Sequence, residues 1–396
     1  MKYRWITIYF CIGMHQLFGG SILSSQGIGL PYDNPTIRSM GMGNVSLAVP
    51  SASRIDHTNP AGLSSINTTQ LTIQSVFHNN QNEDPYNKST SNYANFDGFH
   101  FAIPFGRGLY ASFGIKPITR IDYKIAFIDQ IESEVYTKSL EGSGGVNRFS
   151  VAAAWSPLNR ISIGVRVSYM MGRIMEESRN RFKSGSDYIS THDRISAYAN
   201  GINWTVGLIV RPYPSWTIGG IYSPTVQMDT QVDIYQIFNS SSLDEGSIQY
   251  PGTFGIGTSV VLFKNLLIGM DYQQIQWAQL QINESNVAHT QNSNRISFGI
   301  EKLAVSDPFA NYLKRIPLRL GALFQPYYIL DPEGNSISEL LGTFGFGLPL
   351  FHNTSHIDFM FGIGKRGSLE KNGLEENLIR FGLSITGGEK WFVRNY

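Results

Sequence analysis

The decapeptide "ISIGVRVSYM" spans Ile161 to Met170, and its reading decides the fold. Successive side chains of an extended strand point to opposite faces. Ile161, Ile163, Val165, Val167 and Tyr169 therefore share one face, and Ser162, Gly164, Arg166 and Ser168 share the other. The first face is bulky and apolar without a break, while the second is small and carries a single charge. A soluble sandwich turns its large apolar residues inward and its charges outward. A transmembrane barrel does the reverse, with hydrocarbon outside and a polar or small-residue lumen. A large soluble β-sandwich or propeller is the rival reading.

The same alternation returns on either side. In "INWTVGLIVR" (202–211) the residues Ile202, Trp204, Val206, Leu208 and Val210 oppose Asn203, Thr205, Gly207 and Arg211. In "LIRFGLSIT" (378–386) Ile379, Phe381, Leu383 and Ile385 oppose Arg380, Gly382, Ser384 and Thr386. Links between such segments alternate in length. The tight ones are "FGRG" (105–108), "SPLN" (156–159), "RPYPS" (211–215), "FKN" (263–265) and "PLFHN" (349–353). Longer polar links fall at 79–94, about 126–134, 174–200, 234–247, 284–291, 331–336 and 366–373. Short turns on one side and longer loops on the other are the pattern of an outer-membrane barrel. "VSDPFANYLKRI" (305–316) is an exception on the short-turn side and predicts a small helix. The count is fourteen strands, which puts both chain ends on the periplasmic side. Trp155 and Trp216 then sit beside short turns, as in an aromatic girdle.

Composition agrees. The 396 residues are 42% hydrophobic and only 15% charged, against roughly 25% charged in soluble domains. The net charge of +1 offers nucleic acid no electrostatic footing, so no such partner is expected. Cys11 is the single cysteine, which leaves neither a disulfide framework nor a cysteine metal site. Past the N-terminus no run approaches 18 apolar residues, so helical spans are excluded. Lys2 and Arg4, the apolar "WITIYFCIGM" and the small residues Gly19, Gly20, Ser21, Ser24 and Ser25 predict an export leader over 1–25, cut at about 21–25. An uncleaved anchor is the alternative, but the apolar run falls short of the roughly 20 residues a spanning helix needs.

Ahead of the first strand lies "GMGNVSLAVPSASRIDHTNPAGLSS" (41–65), too apolar for an idle linker and too rich in Gly and Pro for a long helix. With "NPAGL" at Asn59, Pro60, Ala61, Gly62 and Leu63, and the strand segments in order behind it, the chain resembles the FadL-like long-chain fatty-acid and hydrocarbon transporters of the outer membrane. The matching segments are "FHFAIPFGRGLYASFGIKP" (99–117), "FSVAAAWSPLNRISIGVRVSYMMGR" (149–173), "VGLIVRPYPSWTIGGIYSPTVQMD" (206–229), "PGTFGIGTSVVLFKNLLIGMDYQQIQWAQLQ" (251–281) and "PLRLGALFQPYYILDPEG" (317–334). The resemblance implies an all-β, 14-stranded antiparallel barrel at 70–386, with residues 26–69 folded into its lumen as a hatch and 387–396 as a periplasmic tail. The physics agrees, since so wide a barrel cannot fill its lumen with its own side chains. A surface loop outside the barrel is the alternative for 26–69.

In that family a kink in the third strand opens the wall sideways. Here "ASFGIKPITRIDY" (111–123) carries Gly114, which invites a bulge, and Pro117, which cannot donate to a ladder. Gly114 and Pro117 are the candidate lateral gate; Pro117 lying beyond the bilayer is the bland alternative. Alternation turns His100, Lys116, Arg166, Arg211, Asp271, Arg295, Glu301, Arg319, Asp358 and Arg380 into the lumen. Lys116, Arg166, Arg211 and Arg319 are candidates for holding a fatty carboxylate by charge-assisted hydrogen bonds; pairing among themselves and with the hatch is the alternative. The family's ligand-coordinating arginine maps to Arg173, although strict alternation from Arg166 turns it outward.

No G-x-S-x-G, H-E-x-x-H or P-loop is present, and no enzyme, metal or cofactor is expected. His352 and His356 flank a tight turn, and His57 is expected to pack rather than ligate. Trp391 and Phe392 in the tail suit either the periplasmic rim or a partner. The expected function is passive passage of hydrophobic or amphipathic small molecules. The rival is an accessory or anchor in an outer-membrane protein secretion system.

Overall fold

The computed structural model describes residues 20–391, apart from 133, 159, 237–238, 264, 306, 308 and 351–353. Fourteen antiparallel strands close into a barrel among the described residues. They are β1 (Thr69–Glu83), β2 (Lys88–Gly106), β3 (Leu109–Pro117, continued by Thr119–Ile131), β4 (Glu134–Leu158), β5 (Ile161–Phe182), β6 (Thr191–Tyr213), β7 (Trp216–Ser223, continued by Val226–Gln236) and β8 (Asn239–Tyr250, continued by Thr253–Leu262). The circuit goes on through β9 (Leu266–Ile275), β10 (Ser293–Lys302), β11 (Leu318–Leu330), β12 (Ser336–Leu350), β13 (Ser355–Ser368) and β14 (Leu374–Glu389). β14 then pairs with β1 from Thr69↔Glu389 to Glu83↔Glu375, which leaves no free edge at the closure.

The faces are as the alternation requires. Val165, Val167, Ile202, Trp204, Leu208, Ile363 and Ile385 are exposed on the outside. Their neighbours Ser162, Arg166, Ser168, Asn203, Thr205 and Ser384 are buried inside. Trp155 and Trp216 stand exposed beside their turns, Trp216 stacked on Tyr213. No helix among the described residues is long and apolar enough to cross a membrane.

The outer links differ from expectation. Residues 174–200 were expected to form one long loop, yet β5 and β6 stay paired from Ile161↔Val210 to Asn180↔Thr191. Likewise 79–94 shrinks to the turn between Glu83 and Lys88, and β3 and β4 pair up to Ile131↔Glu134. Polar sequence marks water, not loss of structure: a hairpin that leaves the bilayer keeps its ladder. The short-side exception does hold a helical turn, Tyr312–Arg315.

Residues 20–68 pack against the inward-facing residues of the strands and share a buried core with them. Ile55, Leu63 and Ile66 pack on the small wall residues Ala102, Ala152 and Ala154. Ile37 and Met40, on the turn Ile37–Met40, meet Val76 and Met360, and Met42, Val45 and Val49 meet Leu267. Wall glycines make room. A Cβ on Gly321 would lie 2.1 Å from the backbone of Met42 and Gly43, and one on Gly219 would lie 1.9 Å from the Leu47 carbonyl. Residues 21–25, assigned above to the end of the leader, are part of this packing: Ser21 donates to Glu376, and Leu23 and Ser24 are buried. At the other end β14 runs to Glu389, and Trp391 stands half-exposed against Phe101. Phe392 and His352 lie outside the described residues.

Candidate functional site

The "NPAGL" turn is held by one side chain. Asn59 Oδ1 accepts from the Ala61 amide at 3.0 Å, and Nδ2 donates to the carbonyls of Leu47 (2.8 Å) and Leu208 (3.3 Å). Pro60 opens the short helix Pro60–Ser65, where a missing N–H costs nothing. Ala61 is fully buried, and Gly62 donates back to the Asn59 carbonyl at 2.9 Å. Asn59 thereby satisfies backbone groups that an irregular buried segment would otherwise leave unpaired.

The inward cations are mostly neutralised. Arg319, with no side-chain exposure, bridges Glu301 (2.8 Å) and Asp358 (2.7 Å). The inner segment extends this chain at both ends: Arg38 pairs with Glu301 at 2.6 Å and Arg54 with Asp358 at 2.7 Å. Arg319 is therefore held between two carboxylates, with one Nη left without a partner among the described residues. Lys116 is just as enclosed; it pairs with Asp33 at 2.8 Å and also donates to the Asn34 carbonyl. Arg148 grips the same Asp33 with two bonds of 3.1 Å. Arg166 donates to the His57 carbonyl and to Thr205 Oγ1 at 3.0 Å, and Arg211 to Ser65 Oγ at 2.7 Å. His57 stacks on His100, with ring centres 4.1 Å apart. The sequence reading did not include Asp33, Arg38 and Arg54, which pair with the inward charges of the wall. Their signal was present, as charges in an otherwise apolar segment, but their partners lie up to 304 positions away.

Arg173 corrects an expectation. It is exposed on the outer face, its guanidinium 5.6 Å from the Tyr198 ring centre, so it does not line the lumen. The alternation of β5 runs unbroken past it, from Ile161 through the pairs with both neighbours.

The space left inside is small. One cavity of about 80 Å³ lies between Tyr32, His78, Arg295, Tyr327, Glu339 and Arg380. A second, of about 40 Å³, lies between Asp33, Arg148, Arg166 and Tyr250.

Among the described residues, one interruption of the wall lies between β2 and β3; another lies between β6 and β7, where pairing stops at Val206↔Tyr222 and resumes at Asn200↔Asp229. β2 pairs with β3 only from Phe99↔Ile115 to Gly106↔Leu109. Beyond that point β2 pairs with β1 alone, and the second piece of β3 pairs with β4 from Ile121↔Gly144 to Ile131↔Glu134. The break falls at Pro117 and Ile118, opposite Gly144 and Gly145, whose φ values of 117° and 134° suit glycine. Gly114 is not part of it. Gly114 keeps regular partners in His100 and Ser150, and a Cβ there would meet His100 at 2.3 Å. It is small because His100 needs the space, and the gate expectation narrows to Pro117.

The inner segment takes the vacated edge. Leu30–Pro31 pairs with Arg120 and Thr119, and the Tyr32 amide donates to the Ile118 carbonyl at 2.8 Å. Ser24 Oγ both donates to the Asp122 carbonyl and accepts from its amide, each at 3.0 Å. From the far wall, Tyr327 donates to the Leu23 carbonyl at 2.8 Å and Tyr328 to that of Gly29 at 2.9 Å. A register shift between Pro326 and Leu330 lets these consecutive tyrosines both turn inward.

Solved structures share this architecture. The toluene transporter TbuX of Ralstonia pickettii superposes with a TM-score of 0.61 at 14% identity, covering 90% of this chain and 99% of its own. A FadL homologue of Pseudomonas aeruginosa gives 0.59 at 10% identity, with 91% and 99% covered. The toluene transporter TodX of P. putida gives 0.57 at 12% identity, with 91% and 99% covered. At these identities the likeness shows a common fold, the FadL-type outer-membrane barrel. A sequence search of curated proteins gave no match. The family profile BamG matches residues 4–396, nearly the whole chain, and the protein belongs to the BamG family.

Proposed function

We propose that the chain is a passive outer-membrane conduit for hydrophobic or amphipathic small molecules, long-chain fatty acids or similar, with residues 26–69 acting as its hatch. The observation that carries the reading is the split between β2 and β3. Here the wall gives up several hydrogen bonds, and the inner segment, through residues 24–32, pairs with the exposed edge of β3. The split opens at the outer border of the apolar band, where Pro117 is the register partner of Asn147, and an unpaired edge beside lipid is costly, so its retention there favours use as a lateral exit. A ligand enters from outside, the hatch shifts locally, and the ligand leaves between β2 and β3 into the bilayer. The solved FadL-type relatives named as toluene transporters support the cargo class. Replacing Pro117 by Val, which restores a backbone donor, should lower uptake of labelled oleate while leaving the yield of folded barrel unchanged. Unchanged uptake removes the lateral exit.

One observation favours the second reading, an accessory or anchor in an outer-membrane protein secretion system. Cavities of about 80 and 40 Å³ are far below the roughly 300–1,000 Å³ of ordinary ligand pockets, and paired charges surround them. Mass spectrometry of the detergent-extracted protein separates the two. Stoichiometric fatty acid or hydrocarbon supports transport; an empty lumen with a co-purifying protein supports the accessory role.

A further inference from the structure

We propose that the outer face of the split seam carries a binding site for the phosphate headgroup of an outer-leaflet lipid. A recess of about 430 Å³ opens there, lined by Phe96, Pro117, Arg120, Asn147, Arg173 and Met175 among others. Its floor is the break in β3 and the glycine pair of β4, so the recess is a product of the fold and not a gap between mobile side chains.

Position along the wall supplies the first argument. On the outward face of β5, Val165, Val167, Tyr169 and Met171 are all exposed and apolar, and Arg173 is the next residue on that face. On β4 the outward residues Val151 and Phe149 give way to Asn147, and on β6 Ile202 gives way to Asn200, the register partner of Met171. The apolar band thus ends at one level on three adjacent strands, in a concave patch of amide and guanidinium groups. That level is where acyl chains meet their headgroups.

Charge supplies the second. Among the described residues no carboxylate pairs with Arg173, whose guanidinium has only the Tyr198 ring. By contrast, the cations further out, Arg179 and Arg194, are both tied to Glu177. Arg120 also lines the recess: its guanidinium lies 5.6 Å from the Tyr93 ring centre, one Nη donates to Asp122 at 3.2 Å, and its buried Nε has no hydrogen-bond partner. Two guanidiniums, one of them with a buried donor left over, match an oxyanion with several acceptors better than they match each other. Asn147, exposed beside them, can bond the hydroxyls of a glycerol or sugar. The acyl chains would lie on Phe149, Tyr169 and Met171.

The inference rests on the apolar face being lipid-facing and is independent of whether the barrel transports anything. Its test uses the purified full-length protein in mild detergent. Native mass spectrometry follows retention of phosphatidylglycerol, and separately of oleate, by the wild type, by the double variant Arg120→Gln/Arg173→Gln and by Arg181→Gln, a cation away from the recess. The wild type and Arg181→Gln should retain phosphatidylglycerol equally. The double variant should retain it roughly thirtyfold more weakly, the loss of two cations near a lipid surface. Heat-modifiable migration on gels checks the fold, and Arg173→Gln alone answers if the double variant does not fold. Equal retention by all variants, an equal loss in Arg181→Gln, or loss of oleate without loss of phosphatidylglycerol overturns the proposal.

Discussion

Two sides of the barrel are built from the same alternating sequence and end up differently. From β12 to β14 and β1 the ladders are continuous, the closing pair alone matching Thr69 to Glu83 with Glu389 to Glu375. On this side of the ring the inner segment is fastened by side-chain charge, through Arg38, Glu301, Arg319, Asp358 and Arg54. Across the ring, between β2 and β3, the ladder stops after Ile115, and the inner segment is fastened through its backbone, the Ser24 hydroxyl and the Asp33 carboxylate, which Lys116 and Arg148 both hold. The first side is expensive to open, since parting it strands charges in a buried space. The second combines exchanged backbone bonds with the ion pairs of Asp33 and carries fewer buried charges.

Four changes break or sharpen that contrast. The largest effect is expected at Arg319→Ala, which removes the cation shared by Glu301 and Asp358, empties its buried space and leaves each carboxylate with a single arginine, Arg38 or Arg54. Removing one partner of a buried pair costs about 3–5 kcal/mol, and a urea titration of the refolded barrel should show a loss of that order. Gly321→Val comes next, because its side chain would overlap the backbone of Met42 and Gly43. Overpacking of this kind costs about 1–3 kcal/mol, and partial displacement of the inner segment should raise single-channel conductance in planar bilayers above that of the wild type. Pro117→Val should change stability by less than about 1 kcal/mol, while protecting backbone amides of β2 near Asp97 from hydrogen exchange as the seam zips further. Ser24→Ala should be the mildest. It removes two hydrogen bonds, worth about 1 kcal/mol each at most in net terms, and should be seen as faster exchange at the Asp122 amide alone. If Ser24→Ala destabilises the barrel as much as Arg319→Ala, the contrast between the two sides is wrong.

The strands were legible because period two is a local property. Each segment declares its outward face through Val, Ile, Leu and Trp, whatever its neighbour does, and the inward charges follow by parity. Arg166 and Lys116 were placed inside on that ground and are inside. Parity also turned Arg173 outward, and it prevailed over the role the resemblance implied. The polar links misled because composition reports contact with water and not the end of a hairpin, as residues 174–182 of β5 show. Gly114 misled for a different reason: a glycine in a strand marks either a bulge or a crowded neighbour, and only the position of His100 tells which.

The sequence by itself determined the class of the molecule, a lipid-facing wall around a polar interior, with a small, apolar segment ahead of the first strand. Tertiary structure alone decided which inward charges are spoken for and where the wall is split. Arg38 meets Glu301 across 263 positions, and the break at Pro117 needs Gly144 and Gly145 opposite and Ser24 and Leu30 to cover it. Such pairings depend on the register of strands far apart in the chain, and local periodicity carries no information about register.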